Sequence, residues 1–219
     1  MYEQTGAEGD RNAERALMHR GVADDLQIIE GLFDIRMVQV SDEKALSVLR
    51  ELRTLTKVMA IVHGTMYATG ASDSVGAQIL FEKIVKSVRL THCTRTRIDA
   101  TVDCGECVVP AHAAVPCAFI LAECVRHSVL CSFEECAEGR IDVSYDGPGA
   151  DGWYTLTVTD NGFPEYATAR EEEHDEAISM PVAEHIVRYR LKGTVRRTIE
   201  EGMAWTVRFP GERVPSGEG

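Results

Sequence analysis

Apolar positions in the first third of the chain recur with a helical period. Val22, Leu26, Ile29, Phe33 and Met37 fall at three- and four-residue steps, which predicts one helix from about Ala13 to Val40. Ser41 can cap a second helix, and Asp42 and Glu43 would sit in its first turn, where negative charge suits the helix dipole. That helix should run to about Tyr67. Along it Ala45, Val48, Leu52, Leu55, Met59, Val62 and Met66 alternate three- and four-residue steps, a heptad seam sustained over three repeats. Two antiparallel helices cannot by themselves bury both stripes together with Ile28, Leu32 and Leu49. A hairpin from a second copy would complete a four-helix bundle. Packing of the hairpin on its own C-terminal domain is the alternative.

The pattern changes after the linker-like stretch Thr69 to Ser74. A helix near Val75–Leu90 precedes a short alternating run, Arg97–Asp103, with Ile98, Ala100 and Val102 on one face. Cys104-Gly105-Glu106-Cys107 reads as a hairpin turn, and a strongly apolar helix follows at about Ala113–Cys131. Strands are expected at Arg140–Tyr145 and Trp153–Thr159, joined by a turn rich in Gly and Asp. A polar, acidic loop spans Asn161–Ala177; a helix near Pro181–Leu191 and strands at Thr194–Glu200 and Met203–Phe209 complete the order. Helices and strands mix without a regular βαβ alternation. The expected fold class is therefore α+β, with a helical layer on one largely antiparallel sheet. Residues 1–12 and 211–219 read as tails, 13–68 as the hairpin and 75–210 as the second domain.

Composition narrows the function. Of 219 residues, 44% are apolar and 26% charged, enough to bury a core. Asp plus Glu number 35 against 23 Lys plus Arg, a net charge of −12. Nucleic acid and anionic lipid bind through cationic patches, so neither is an expected partner. No run reaches the roughly 18 consecutive apolar residues of a membrane span. Met1 to Arg15 has neither a basic segment nor an apolar core, so a signal peptide is not expected. The seven cysteines are then expected as reduced thiols in the cytoplasm. Cys104 and Cys107 have metal-ligand or redox spacing, but the further ligands available, Cys131, Cys136, His92 and Cys93, match no standard zinc spacing. No metal site is expected. Cys117 and Cys124, seven apart on a helix, read as small core hydrophobes.

Five blocks in order resemble a bacterial sensor histidine kinase core, covering about residues 13–210. Met18 to Ile29 (MHRGVADDLQII) is similar to the HisKA_2-like subfamily, whose first helix carries His-Arg-Val-Lys-Asn-Asn-Leu-Gln. Ala60 to Tyr67 (AIVHGTMY) resembles the end of that subfamily's second helix. Phe119 to His127 resembles the N box, Thr159 to Gly162 the adenine-binding Asp-x-Gly motif, and Gly202 to Pro210 the closing strand. The resemblance implies a dimeric helical hairpin joined to an α/β sandwich of the GHKL ATPase type. In such a protein the γ-phosphoryl of ATP passes to an exposed histidine on the hairpin, then to an aspartate on a receiver domain.

The resemblance makes His19 the candidate phosphoryl acceptor, at the edge of the apolar stripe and facing solvent. Two alignments stay open. Matching Leu26-Gln27 without a gap puts Arg20 at the acceptor position; matching the pair His19-Arg20 needs one inserted residue near Gly21. One residue on a helix is a rotation of about 100°. Asp24 and Asp25 replace the subfamily's paired amides, and His63 reads as a structural residue near the hinge.

In the ATP domain, the resemblance gives Glu123 a role near the metal and the γ-phosphate. Asp160 and Gly162 retain adenine recognition. His127 stands where an Asn would help hold Mg²⁺, and imidazole is a poor ligand for a hard cation that prefers oxygen. The phosphate lid ends in Ala177-Ile178-Ser179-Met180-Pro181, without the expected glycines, after five carboxylates between Glu171 and Glu176. The expected function is a degenerate histidine kinase that does not use ATP. It would act as a phosphotransfer relay or adaptor for a response-regulator receiver domain, as a homodimer through the hairpin, with no cofactor. Two other readings remain open. One is an active soluble kinase that autophosphorylates on His19 with Mg-ATP; the other is a dimeric interaction module without phosphoryl chemistry.

Overall fold

The computed structural model describes residues 3–70, 73–92, 97–133, 138–162, 179–199 and 201–211; of 3–13, 92 and 179–181 it describes the backbone only. The chain divides into two compact units, Met1–Ile84 with Val108–Phe119, and Val85–Cys107 with Ile120–Gly219.

Two long helices dominate the first unit: α1 (Glu3–Met37) and α2 (Glu43–Thr69). Helix α1 starts ten residues upstream of the predicted Ala13, in a segment where Glu3, Gln4, Ala7, Glu8 and Arg11 favour the helix and Gly6, Gly9 and Asn12 oppose it. Asp42, not Ser41, caps α2: its side chain accepts a hydrogen bond from the Ala45 amide at 2.8 Å. The Gly70 amide closes the other end on the Met66 and Tyr67 carbonyls. Between the helices, the Arg53 guanidinium meets the Asp34 carboxylate at 2.8 Å. Val22, Leu26, Phe33 and Met37 are half-buried, whereas Ile28, Leu32 and Ile35 are 64, 55 and 59% exposed. On α2 the seam is exposed at Val48, Leu52 and Met59 and buried only at Val62 and Met66. One hairpin therefore leaves a second apolar face uncovered. The predicted linker contains a strand: β1 (Ser74–Gly76) pairs antiparallel with β3 (Val108–Pro110).

In the second unit, β2 (Arg97–Asp103), β4 (Glu138–Asp146), β5 (Trp153–Asp160), β6 (Thr194–Ile199) and β7 (Met203–Pro210) form one sheet in the order β2-β4-β5-β7-β6. Only β2 and β4 run parallel; the other three pairings are antiparallel. Alternate residues of β4, β5 and β7 are buried, so one face of the sheet carries the core, including Ile141, Val143, Tyr145, Leu156, Trp205 and Phe209. Helices α3 (Ala77–His92) and α4 (Ala111–His127) contribute residues to both units, and α5 spans Ser179–Tyr189. The Cys104–Cys107 segment is a tight turn, with the Cys107 amide on the Cys104 carbonyl at 3.0 Å. It is not the expected hairpin: β2 pairs with β4 while β3 pairs with β1. A three-residue strand such as β3 carries too little side-chain pattern to announce its partner.

Helix α4 continues into a π-helical turn at Ser128–Ser132. Among the described residues, the stretch Ala111–Ser132 is the one helix long and apolar enough to cross a membrane, and most of it is buried inside the protein. Cys117 and Cys124 sit within it, fully buried as expected, and burial pushes both thiols far above the ordinary cysteine range.

Candidate functional site

His19, Val22, Ala23 and Leu26 stand at i, i+3, i+4 and i+7, so they share one face of α1. That face turns toward α2. His19 is therefore only 8% exposed, not the solvent-facing ring expected from the edge of the stripe. Its Nδ1 lies 2.8 Å from Nδ1 of His63, and the two rings are tilted by 39° with centroids 5.1 Å apart. His63, expected from the sequence as a structural residue near the hinge, is the polar partner of His19. Arg20 also reaches α2, but from the exposed edge of the hairpin. Its guanidinium stacks over the exposed Tyr67 ring at 5.6 Å and lies 3.8 Å from the Asp24 carboxylate. Of the two residues that competed for the acceptor register, only the imidazole lies in the hairpin seam.

Burial lowers the pKa of His19, and burial followed by the charge of His19 lowers that of His63. The fold therefore disfavours the doubly protonated pair, which would have no lone pair left to accept a proton between the rings. Below about pH 6.5, the ordinary histidine value, the unfolded chain takes up protons that the folded pair refuses. The pair's contribution to stability is thus full above pH 6.5 and is lost as pH falls through the depressed folded values. Urea midpoints measured between pH 7.5 and 5.5 should fall more steeply for the natural protein than for a His19→Gln/His63→Gln double variant. Equal slopes would contradict the pairing.

The second unit gathers the remaining candidates around α4, its π-helical turn and the end of β5. Glu123 is 1% exposed, and its Oε2 accepts from Nη2 and Nε of Arg126 at 3.0 and 3.2 Å. The two residues are three apart on α4, close enough for this ion pair to form within one turn. His127 is buried and meets Trp205 edge to face, with ring centroids 5.8 Å apart. Asp160, at the end of β5, is 9% exposed and receives four hydrogen bonds. Oδ2 accepts from Ser128 Oγ at 2.6 Å and Ser132 Oγ at 3.1 Å; Oδ1 accepts from the Gly162 amide at 2.9 Å and the Met203 amide at 3.3 Å. A carboxylate offers about four acceptor directions, and the chain itself fills them. Gly162 packs so closely that a Cβ would strike the Ser132 backbone oxygen, and a Cβ on Gly202 would strike the Asp160 carbonyl oxygen. These glycines seat two chain segments against one another.

The structure brings Asp160 and Gly162 together, with Asp160 bonded to the turn that follows His127. It pairs Glu123 with Arg126, and it places His19 with His63. Ser128, Ser132 and Arg126 were missed. Two hydroxyls four residues apart just after the N-box segment were the available signal for the serines. The lid residues from Pro164 to Ala177 lie outside the described residues, as do Cys93 and Cys136 and the side chain of His92. Cys104 is buried and Cys107 half-buried.

A helical hairpin, followed by a five-stranded mixed sheet with helices, is the architecture of a histidine kinase core. A histidine kinase family model matches residues 17–92. The solved histidine kinase domain of the blue-light activated histidine kinase EL346 from Erythrobacter litoralis superposes with a TM-score of 0.60 at 16% identity, covering 92% of this chain and 94% of that one. A longer structure of EL346 gives 0.63 at 15% identity, over 86% of this chain and 58% of that one. The histidine kinase AdeS of Acinetobacter baumannii gives 0.51 at 17% identity, over 89% and 97%. At such identities the likeness shows the shared fold. No curated protein sequence matches the chain.

Proposed function

We propose that this protein is a two-component signalling protein that relays a phosphoryl group through His19, or docks a receiver domain, without using ATP. The carrying observation is the state of Asp160. An adenine amino group needs a free acceptor on this carboxylate, and all four directions are occupied by donors from Ser128, Ser132, Gly162 and Met203. Glu123 is similarly engaged: it is buried against Arg126, which neutralises the carboxylate that would otherwise act near a metal. The N-box position offers imidazole carbon and nitrogen, not the oxygen that Mg²⁺ prefers. The residues present therefore do not fit Mg-ATP in this arrangement.

Homodimerisation through the hairpin is part of the same reading, supported by the exposed apolar face of Ile28, Leu32 and Ile35. Among the described residues no two of the five cysteines are joined by a disulfide, in keeping with a cytoplasmic protein.

Two measurements test this reading. Isothermal titration with Mg-ATP should give no saturable heat up to millimolar concentration; micromolar affinity would favour an autophosphorylating kinase instead. Incubation with a phosphorylated receiver domain should place an acid-labile label on the chain, absent from His19→Ala. No label on the natural protein would leave a docking module without phosphoryl chemistry.

A further inference from the structure

Two neutral imidazoles joined Nδ1 to Nδ1 share one proton between them. Ring centroids 5.1 Å apart allow a 2.8 Å nitrogen contact only if both nitrogens lie close to the line joining the rings. N–H and lone pair therefore meet head-on, as in a hydrogen bond. A metal ion held by both nitrogens would need lone pairs converging on a third point, or rings set further apart. The ring that donates carries its proton on Nδ1 and keeps a bare lone pair on Nε2; the ring that accepts carries its proton on Nε2. The neutral pair thus offers one nucleophilic Nε2.

We propose that His63 is the positioning residue for His19: it accepts the Nδ1–H of His19 and so leaves Nε2 of His19 as the nucleophile of phosphoryl transfer. The inference rests on the reading of His19 as acceptor and deepens it. A carboxylate or a carbonyl is the common partner for such an Nδ1–H. On α1 the nearest carboxylates in sequence, Glu14, Asp24 and Asp25, are exposed, and Asp24 faces Arg20. His63 takes that place from α2. In the transfer, Nε2 of His19 forms a bond to the phosphorus of an acyl phosphate on the receiver aspartate. The bond from phosphorus to the aspartate oxygen breaks, and the aspartate leaves as a carboxylate. The Nδ1 proton of His19 passes to Nδ1 of His63, and the resulting imidazolium loses a proton to water. Phospho-His19 is left with a neutral ring.

Nitrogen-15 NMR of the histidines in the unmodified full chain reads the tautomer directly. His19 should carry its proton on Nδ1 and His63 on Nε2. Transfer from a phosphorylated receiver domain is then compared in two variants. His63→Leu cannot accept the Nδ1–H, and its initial labelling rate should fall about 100-fold, the scale of a lost proton acceptor. His63→Gln keeps a carbonyl that accepts the Nδ1–H but cannot take the proton, and should fall less. A proton on Nε2 of His19, in a protein that does take up label, would overturn the proposal and leave the relay standing. Equal labelling rates in all three proteins would overturn it as well. No label on the natural protein would overturn the relay, and the nucleophile role with it, even where NMR finds the proton on Nδ1 of His19.

Discussion

Asp160→Asn should destabilise the protein by about 3 kcal/mol, although the side chain keeps its shape and loses only its charge and one acceptor oxygen. The reason is the number of donors aimed at it. Two hydroxyls and two amides converge on the carboxylate of Asp160 in a buried setting. The amide turns its own N–H toward two of them, and at least one pair of donors is left without an acceptor. Hydrogen bonds to a charged group contribute about 1.5–3 kcal/mol each, and an orphaned buried donor adds its desolvation cost. Ser128→Ala and Ser132→Ala each remove one donor without stranding the carboxylate, so each should cost about 1 kcal/mol. Urea unfolding of the three variants checks the order. A loss below about 1 kcal/mol for Asp160→Asn would mean that these donors find other partners. The carboxylate would then be available to a ligand such as an adenine amino group.

The second large effect is expected at the hairpin. Ile28 and Leu32 lie one turn apart on the exposed side of α1. Burying an aliphatic side chain contributes about 1.5–3 kcal/mol. A two-fold dimer uses each position twice, and a charge at such a position must also be desolvated. Ile28→Asp/Leu32→Asp should therefore weaken self-association at least about 100-fold, since each 1.4 kcal/mol is a factor of ten. The fold of each chain should persist, because these side chains are exposed within one copy. Sedimentation equilibrium of the natural chain should give a dimer at micromolar concentration and the variant a monomer. A natural chain that is already monomeric would remove the four-helix bundle from the proposal.

The helices were legible because their apolar period is local and long. The stripe of α1 and the seam of α2 each extend over several turns, and turn chemistry marked most of the breaks. Legibility failed where a feature depends on a distant partner. The seven residues of β2 showed one alternating face but not that β4, some forty residues later, runs parallel beside it. Strand β1, three residues long, was hidden inside an apparent linker. In the candidate site, Glu123, His127, Asp160 and Gly162 could be named from their motifs. Their partners could not, because Arg126, Ser128 and Ser132 are ordinary residues until the π-helical turn directs both hydroxyls to one carboxylate.

Alone, the order of residues determined that this chain forms a helical hairpin and then an α+β unit, and that a histidine near the start of the hairpin is its candidate acceptor. Periodicity and motif order are properties of neighbouring positions, so they survive without coordinates. Tertiary structure decided which way that histidine faces, that His63 meets it nitrogen to nitrogen, and that the acceptor directions of Asp160 are filled from within. Apart from the Gly162 amide, a near neighbour of Asp160, these contacts bring to hydrogen-bond distance atoms from segments 28 to 44 positions apart, with the Ser132–Asp160 and His19–His63 pairs at the two ends of that range. Hydrogen bonding falls away within an ångström, and no spacing along the chain encodes that.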